Sequence, residues 1–519
     1  MEDVSELLLL RILPSLALLG LLSFIFHICR TILLRSYTVK RKLHMQGIKG
    51  PSPVFLYGNL VEMQQLQLKA RKHVSPSHAQ IVAQDYNSIV FPYFDHWRKE
   101  YGPIYTYSTG FKQHLYITDP ELVKTMSLCN TLDLGKPPYV TKRFAPMFGN
   151  GIMRSNGHFW ALQRKIVAPE FFMAKVKQTM VGLMVDSTQP LLREWEERIE
   201  IQGGLQAEIT VDDDLKGLSA NVIAKACFGS SYFKGNEIFS KLRTLHKALA
   251  HRSTPFGFTC FRKNYKEINR LEREIESLIW DTVQERQKQG SMKKDLMQLI
   301  LEEAVNNSNG GKLSPRKFLV DNCKSLYFAG HDTTAISASW CLVLLALHPE
   351  WQSRIREEIT QICNEGSVDA NSLPNFKMVT MVIQEAMRLF PPAGFVVREA
   401  LEEVQIGNIT IPKGVCIWTL ISTLHRDPTM WGPDANEFRP ERFADGVSKA
   451  CKFPQAYIPF GLGTRLCVGR NFAMVELKIV ISSIVSKFKF SLSPNYVHSP
   501  VFRMLVEPQH GLQLLIQKA

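Results

Sequence analysis

Phe460-Gly-Leu-Gly-Thr-Arg-Leu-Cys-Val-Gly-Arg470 places one cysteine, Cys467, in a short glycine-bearing loop, with Arg465 two residues before it and a strongly helical run, Asn471 to Phe488, directly after. Gly461, Gly463 and Gly469 carry no Cβ, so the backbone can bend sharply and bring N–H groups against the sulfur. The following helix points its positive end at the same atom. Both effects favour thiolate over thiol, and a thiolate is a soft ligand suited to a soft metal. A lone cysteine is more often core filler. Its neighbours argue against that plainer role here.

The pattern Phe460-x-x-Gly463-x-Arg465-x-Cys467-x-Gly469 resembles the haem-binding signature of the cytochrome P-450 monooxygenases and matches it at every defining position, with Thr464 and Val468 in variable slots. The resemblance implies that Cys467 is the axial ligand of a haem b iron and that Arg465 pairs with a haem propionate, with Phe460 in the same cofactor-binding set. A supported thiolate pushes electron density onto haem iron and promotes O–O cleavage.

Ser314-Pro315 to His348-Pro349 reads as one helix, since serine then proline make an N-cap and first turn and His-Pro stops it. Its length is about 33 residues, or about 50 Å. The flanks are apolar, but the middle, Ala329-Gly330-His331-Asp332-Thr333-Thr334, carries a glycine, a carboxylate and two hydroxyls. Hydroxyls that bond back to preceding carbonyls beside a glycine can open a helix locally, which predicts an opening with room for O2 and water. The segment resembles the family's oxygen-binding helix, which implies Asp332 and Thr333 as catalytic residues, the carboxylate as proton source. A polar stripe on a surface helix is the plainer reading, disfavoured because buried unpaired polar groups are costly.

Glu385-Ala-Met-Arg388 sets carboxylate and guanidinium three apart, on one helical face. Alone this is a weak signal, because such pairs are common on solvated surfaces. Standing before Pro391-Pro392, and followed by Pro440-Glu441-Arg442-Phe443, it resembles the family's buried Glu-Arg-Arg network. That implies a structural role for Glu385, Arg388 and Arg442. Trp160 and Arg164 lie four apart, and Arg398 sits in the strand-like segment Phe395 to Ala400. Each matches a propionate-binding position of the family, and an indole N–H beside a guanidinium suits carboxylate arms.

From Ile12 to Cys29 the chain is apolar apart from Ser15, Ser23 and His27, and extension back to Leu7, interrupted by Arg11, gives about 20 residues, enough for one membrane span. Glu2, Asp3 and Glu6 precede it, whereas Arg30, Arg35, Lys40, Arg41 and Lys42 follow. The positive-inside tendency then puts the body of the protein in the cytosol. No basic start or small-residue cleavage site marks a signal peptide. The expected layout is a membrane anchor over 1–34, a basic linker and proline hinge over 35–53, and a catalytic domain over 54–519.

The 519 residues, 45% hydrophobic and 21% charged, can bury a large core, and the family resemblance makes the chain too short to append a flavin reductase. A net charge of +14 invites a nucleic-acid reading, but the cations are dispersed and no aromatic-basic recognition motif stands out. An anionic membrane lipid surface and an acidic redox partner account for the excess. Ten cysteines without a Cys-x-x-Cys pair argue against zinc or dithiol chemistry.

Residues 104 to 118 alternate around Gly110 as a hairpin does. Leu191 to Ile201, Tyr265 to Gln289 and Trp351 to Glu365 are amphipathic helices by pattern, and Val305 to Lys312 reads as a loop. The expected fold is mainly α with a small β-sheet lobe, a cytochrome P-450 fold preceded by one transmembrane helix. His96-Trp-Arg-Lys99, Tyr101-Gly, Trp340 to Trp351 and Val501 to Pro508 resemble a plant membrane-bound branch of the family, which oxidises gibberellins and pentacyclic triterpenoids. This implies an enzyme of the endoplasmic reticulum membrane that takes electrons from NADPH through NADPH-cytochrome P-450 reductase and oxidises a hydrophobic terpenoid with O2. The first expectation is an oleanane-type saponin precursor, the alternative a gibberellin. An O2-independent haem-thiolate isomerase or dehydratase is the competing class. Phe144, Met147, Phe148, Ile152, Ala335, Phe395 and Val396 are the expected substrate contacts.

Overall fold

The computed structural model describes residues 2–72, 85–228, 235–250, 265–288, 296–306, 314–363 and 368–519. Glu2–His44 forms one helix of 43 residues. Leu18, Leu19, Leu22, Phe24 and Phe26 stand exposed on it, and among the described residues no helix is long and apolar enough to cross a membrane. Leu43 and Ile48 are buried in the core of the small lobe. The chain then runs along a sheet edge, where Thr106 N–H donates to the Lys49 carbonyl at 2.9 Å. A Cβ on Gly50 would lie 1.8 Å from the Thr106 carbonyl oxygen, so only glycine fits this approach.

Ile104–Thr109 and Lys112–Ile117 pair antiparallel and turn at Gly110, whose φ of 57° suits glycine. They open a five-stranded sheet that continues through Cys416–Leu420, Phe395–Ala400 and Leu134–Gly135. Alternation along Phe395–Ala400 divides its side chains between two cores. Phe395 and Val397 face the large helical core, whereas Val396 and Ala400 face the small-lobe core with Ile117 and Ile417.

The central helix is Pro315–Leu347, 33 residues, begun by Ser314 accepting from Lys317 N–H and ended at His348. Between Phe318 and Leu345 every residue is buried except Ala329, Gly330 and Thr333. The expected opening is not there: the helix runs unbroken through this window. Thr333 does donate to the Ala329 carbonyl at 2.6 Å, but that bond adds to the main-chain ladder. Ile223, on the helix Asp212–Phe228, packs so closely that a Cβ on Gly330 would lie 2.6 Å from its Cδ1. A turn held from both sides has no cause to unwind.

The other expected helices are found as Val181–Ile201, Tyr265–Lys288 and Pro349–Ile362; Gln289 and Glu365 lie outside the described residues. Val305 and Asn306, read as the start of a loop, instead end the helix Leu296–Asn306, because Leu296, Ile300 and Ala304 bury one face of it; 307–312 lie outside the described residues.

Candidate active site

The cysteine loop is closed by Cys467 N–H donating to the Phe460 carbonyl at 2.9 Å, and the helix Arg470–Lys487 starts immediately after Gly469. Cys467 is exposed at its surface, while the residues 463–466 before it are partly buried. Burial pushes the thiol up, and the Gly469 N–H and the Arg164 and Arg470 charges oppose this without reversing it. The loop donor acts in the expected direction, toward thiolate, but burial outweighs it. Coordination to a metal would deprotonate the thiol outright.

Four cations gather beside the loop. Arg465 lies over the Trp160 ring at 4.4 Å and donates to the Ser155 carbonyl and to Asn156 Oδ1, each at 2.9 Å. Arg164 donates to the Leu466 carbonyl at 2.7 Å, and Arg398 to that of Leu462 at 3.3 Å. Lys136 completes the group, tied through its backbone to Asn156, which accepts from its N–H at 2.7 Å and donates to its carbonyl at 2.8 Å. Burial draws all four down: Lys136 to about 7 and Arg465 to about 9, with help from neighbouring arginines, Arg398 to about 10, and Arg164 in the same direction against the opposing charge of Cys467. Among the described residues no carboxylate pairs with any of the four. Buried charge without a counter-ion costs several kcal/mol per ion. The cluster is therefore built for an anion, and a group with carboxylate arms and a metal facing Cys467 fits these residues.

Sequence reasoning missed Lys136 and Asn156. Neither sits in a local pattern; the pairing of Leu134–Gly135 with Ala400 and Glu399 brings them in.

A buried network supports the loop. Arg388 Nε and Nη2 grip Glu385 at 2.7 and 2.8 Å, and the remaining donors bond the carbonyls of His425, Ala435 and Glu437 at 2.7, 2.6 and 3.0 Å. Arg442 Nε lies 3.5 Å from Glu385, which also accepts from Arg439 N–H at 2.9 Å. His425 extends the chain of contacts: Nδ1 meets the Arg388 carbonyl at 3.0 Å and Nε2 accepts from Ile458 N–H at 2.9 Å. That places it two residues from Phe460.

An imidazole accepting at Nε2 must be neutral, and burial, then the Arg388 charge, brings His425 down to about 3. Between pH 6.5, where an unfolded histidine titrates, and that value, the unfolded chain binds a proton that the folded chain refuses. Stability therefore falls as pH drops through this window, by up to about 1.4 kcal/mol per unit from this group. His114, also brought down to about 3 by burial, acts in the same direction. Urea unfolding at pH 7 and pH 5 checks this: His425→Asn should flatten the difference, and an unchanged pH dependence would remove His425 from the account.

Asp332 is held on both oxygens, with His331 Nδ1 at 3.0 Å from Oδ1 and His246 Nδ1 at 3.4 Å from Oδ2. Burial alone would raise this carboxyl, but bonds and charge from His246 and His331 outweigh it and hold it well below the usual range. Thr333, one residue on, is one of the three partly buried residues in this stretch of the helix.

The loop 149–153 is pinned against the central helix. Asn150 N–H donates to Asp321 at 2.8 Å, Ile152 N–H to Asn322 Oδ1 at 3.2 Å, and Ser325 to the Phe148 carbonyl at 3.2 Å. Phe148 thereby meets Phe328 edge-on at 5.0 Å, with Phe144 behind it at 6.0 Å and Met147 and Ile152 buried nearby. Phe395 joins Phe91 and Phe502 at 4.8 and 5.1 Å. Ala335 is buried in the same helical core, but Val396 points into the small lobe, away from these residues.

Comparison with known proteins agrees with this geometry. The cytochrome P450 family model matches residues 78–516. Cytochrome P450 714A2 of Arabidopsis thaliana is 54% identical over 514 residues, covering 96% of this chain and 97% of that protein. Cytochrome P450 714C2 of Oryza sativa subsp. japonica is 45% identical across the whole of both chains, and cytochrome P450 714B3 of Zea mays 44% identical over 99% and 98%. A free cysteine beside an anion-seeking cluster, together with a central helix that carries a held acid and a partly buried threonine, is what such a family needs. The chain belongs to the cytochrome P450 family, in its plant 714 branch, and is a haem-thiolate monooxygenase that uses haem iron, O2 and electrons passed from NAD(P)H by a reductase.

Proposed function

We propose that this enzyme oxidises an unactivated C–H bond of a polycyclic plant terpenoid, with an oleanane-type pentacyclic triterpenoid as substrate and a methyl taken stepwise through alcohol and aldehyde to acid. Two aromatic clusters carry this reading: Phe148 against Phe328, and the Phe91, Phe395 and Phe502 trio. Packed rings of this kind suit a rigid, mostly apolar ring system, because neither partner loses much freedom on binding. A gibberellin is the second reading, supported by the 54% identity to a 714 relative within the branch that the sequence motifs resemble.

Haem bound through a thiolate supplies the activation of O2. Cys467 would be its ligand, with Phe460 closing the same loop through its carbonyl, and Trp160, Arg164, Arg398, Arg465 and Lys136 would hold its carboxylate arms. Asp332 brings protons to the cleft, and Thr333 directs them with its hydroxyl. Phe144, Met147, Phe148, Ile152, Ala335 and Phe395 orient the substrate, with Val396 supporting the strand from behind. Residues 1–34 anchor the enzyme in the endoplasmic reticulum membrane, 35–53 link, and the domain 54–519 faces the cytosol. NADPH-cytochrome P-450 reductase docks where Lys177, Arg470 and Lys478 border a cleft beside Phe460 and Leu466.

Thr333→Ala should keep NADPH consumption while product per NADPH falls about tenfold or more and peroxide is released. Unchanged coupling would remove Thr333 from this mechanism. The substrate is tested by co-expression with a plant reductase in yeast microsomes, feeding oleanane triterpenoids and gibberellins in parallel, with NADPH omitted as control. An NADPH-dependent oxygenated triterpenoid is the expected product; an oxidised gibberellin alone would replace it by the second reading.

A further inference from the structure

Two histidines flank Asp332, and their second nitrogens differ. Among the described residues, His331 Nε2 is buried without a hydrogen-bond partner. A single proton on Nδ1, given to Asp332, satisfies that ring, and a second would be stranded. His246 instead lies between two acceptors, with Nδ1 3.4 Å from Asp332 Oδ2 and Nε2 3.2 Å from the Arg503 carbonyl oxygen. Only the imidazolium donates to both. Its side chain is also more open to solvent than that of Asp332, 18% against 9% exposed, while Phe328 covers it edge-on at 5.7 Å. It stands on the helix Gly235–Ala250, so the contact joins that helix, the central helix and the turn after Pro500–Phe502.

We infer that His246 relays protons from solvent to Asp332, and that it is a positioning residue for that acid as well as its proton supply. This rests on the oxygenase reading of Asp332 above. In the step, the Nδ1 proton moves to Oδ2, leaving a neutral imidazole still bonded to Arg503 and a carboxylic acid. The acid passes the proton into the cleft and returns to carboxylate, and His246 takes another proton from water. No electron moves, and each cycle consumes one proton from solvent.

The test compares the full-length wild type, His246→Asn, Asp332→Asn and the double variant, with an oleanane triterpenoid as probe substrate. Asparagine at 246 keeps a donor toward Asp332 but carries no transferable proton. His246→Gln, which keeps the bond to Arg503 instead, is the second variant and must behave alike. Peroxide per NADPH, the solvent isotope effect, the ferrous–CO spectrum and amide exchange over 235–250 are read for each. His246→Asn should leave the spectrum and the exchange unchanged, raise the isotope effect and cut product per NADPH about tenfold. The double variant should be no worse than Asp332→Asn, because both changes break one path. A coupled His246→Asn beside an uncoupled Asp332→Asn overturns the relay alone. A coupled Asp332→Asn overturns the reading of Asp332 and the relay with it. Additive losses, or loosened exchange over 235–250 that tracks the loss, reduce His246 to a packing role.

Discussion

Cys467→Ala yields a protein without the ferrous–CO band of thiolate-ligated haem, and with product formation abolished. The loop should survive the change, because its closing bond runs from the backbone N–H of residue 467 to the Phe460 carbonyl and does not use the side chain. Gly463, at φ 67° and with its Cβ position 3.1 Å from the Met126 carbonyl oxygen, holds the approach independently. The loss is therefore of a ligand and not of a scaffold. No neighbour can replace it: Arg164, Arg465 and Arg470 are cations and repel a metal. Spectra of the reduced, CO-treated variant, with haem content measured separately, check this. A normal band would end the assignment of Cys467 as axial ligand.

Arg388→Leu has the next largest expected effect. It removes both bonds to Glu385, together with those to the carbonyls of His425, Ala435 and Glu437. Glu385 is then a fully buried carboxylate left with Arg442 at 3.5 Å and one backbone donor. Stranding one partner of a buried pair costs about 3–5 kcal/mol, against a total stability of about 5–15 kcal/mol for a typical protein. The damage travels, because the Arg388 carbonyl meets His425, and His425 holds Ile458 beside the cysteine loop. The expected outcome is a lower thermal midpoint and a fall in haem per protein. Lysine cannot rescue it, since an ammonium lacks the planar fork that reaches both carboxylate oxygens and three carbonyls. Glu385→Leu with Arg388→Leu should recover part of the stability by removing the orphaned charge, but not the tethering of the three carbonyls. A single variant with wild-type midpoint and haem content would disprove the network's role.

Much of this was legible in the sequence because the signals are local. Ser314-Pro315 and His348-Pro349 bound the central helix where caps and prolines require, and the alternation about Gly110 gives the hairpin. Glu385 and Arg388 meet because three residues make nearly one turn. The unbroken helix at Gly330 was not legible, since it depends on Ile223 arriving from another helix. Nor was the direction of the Cys467 thiol, because donors near in sequence say nothing about how much water the fold removes. Val396 was named beside Phe395, yet a strand sends neighbours to opposite faces, and which face meets the pocket depends on what packs there.

The sequence by itself determined the cysteine loop, the oxygen-helix motif, the Glu-Arg pair and hence the family, since each is a short pattern whose spacing already carries its geometry. Tertiary structure alone decided that Lys136 and Asn156 join the arginines, that His425 ties Arg388 to Ile458, and that His246 reaches Asp332. Those contacts join residues far apart in the chain. No local propensity encodes them; burial of two apolar cores brings them together and then requires each enclosed charge or donor to find a partner.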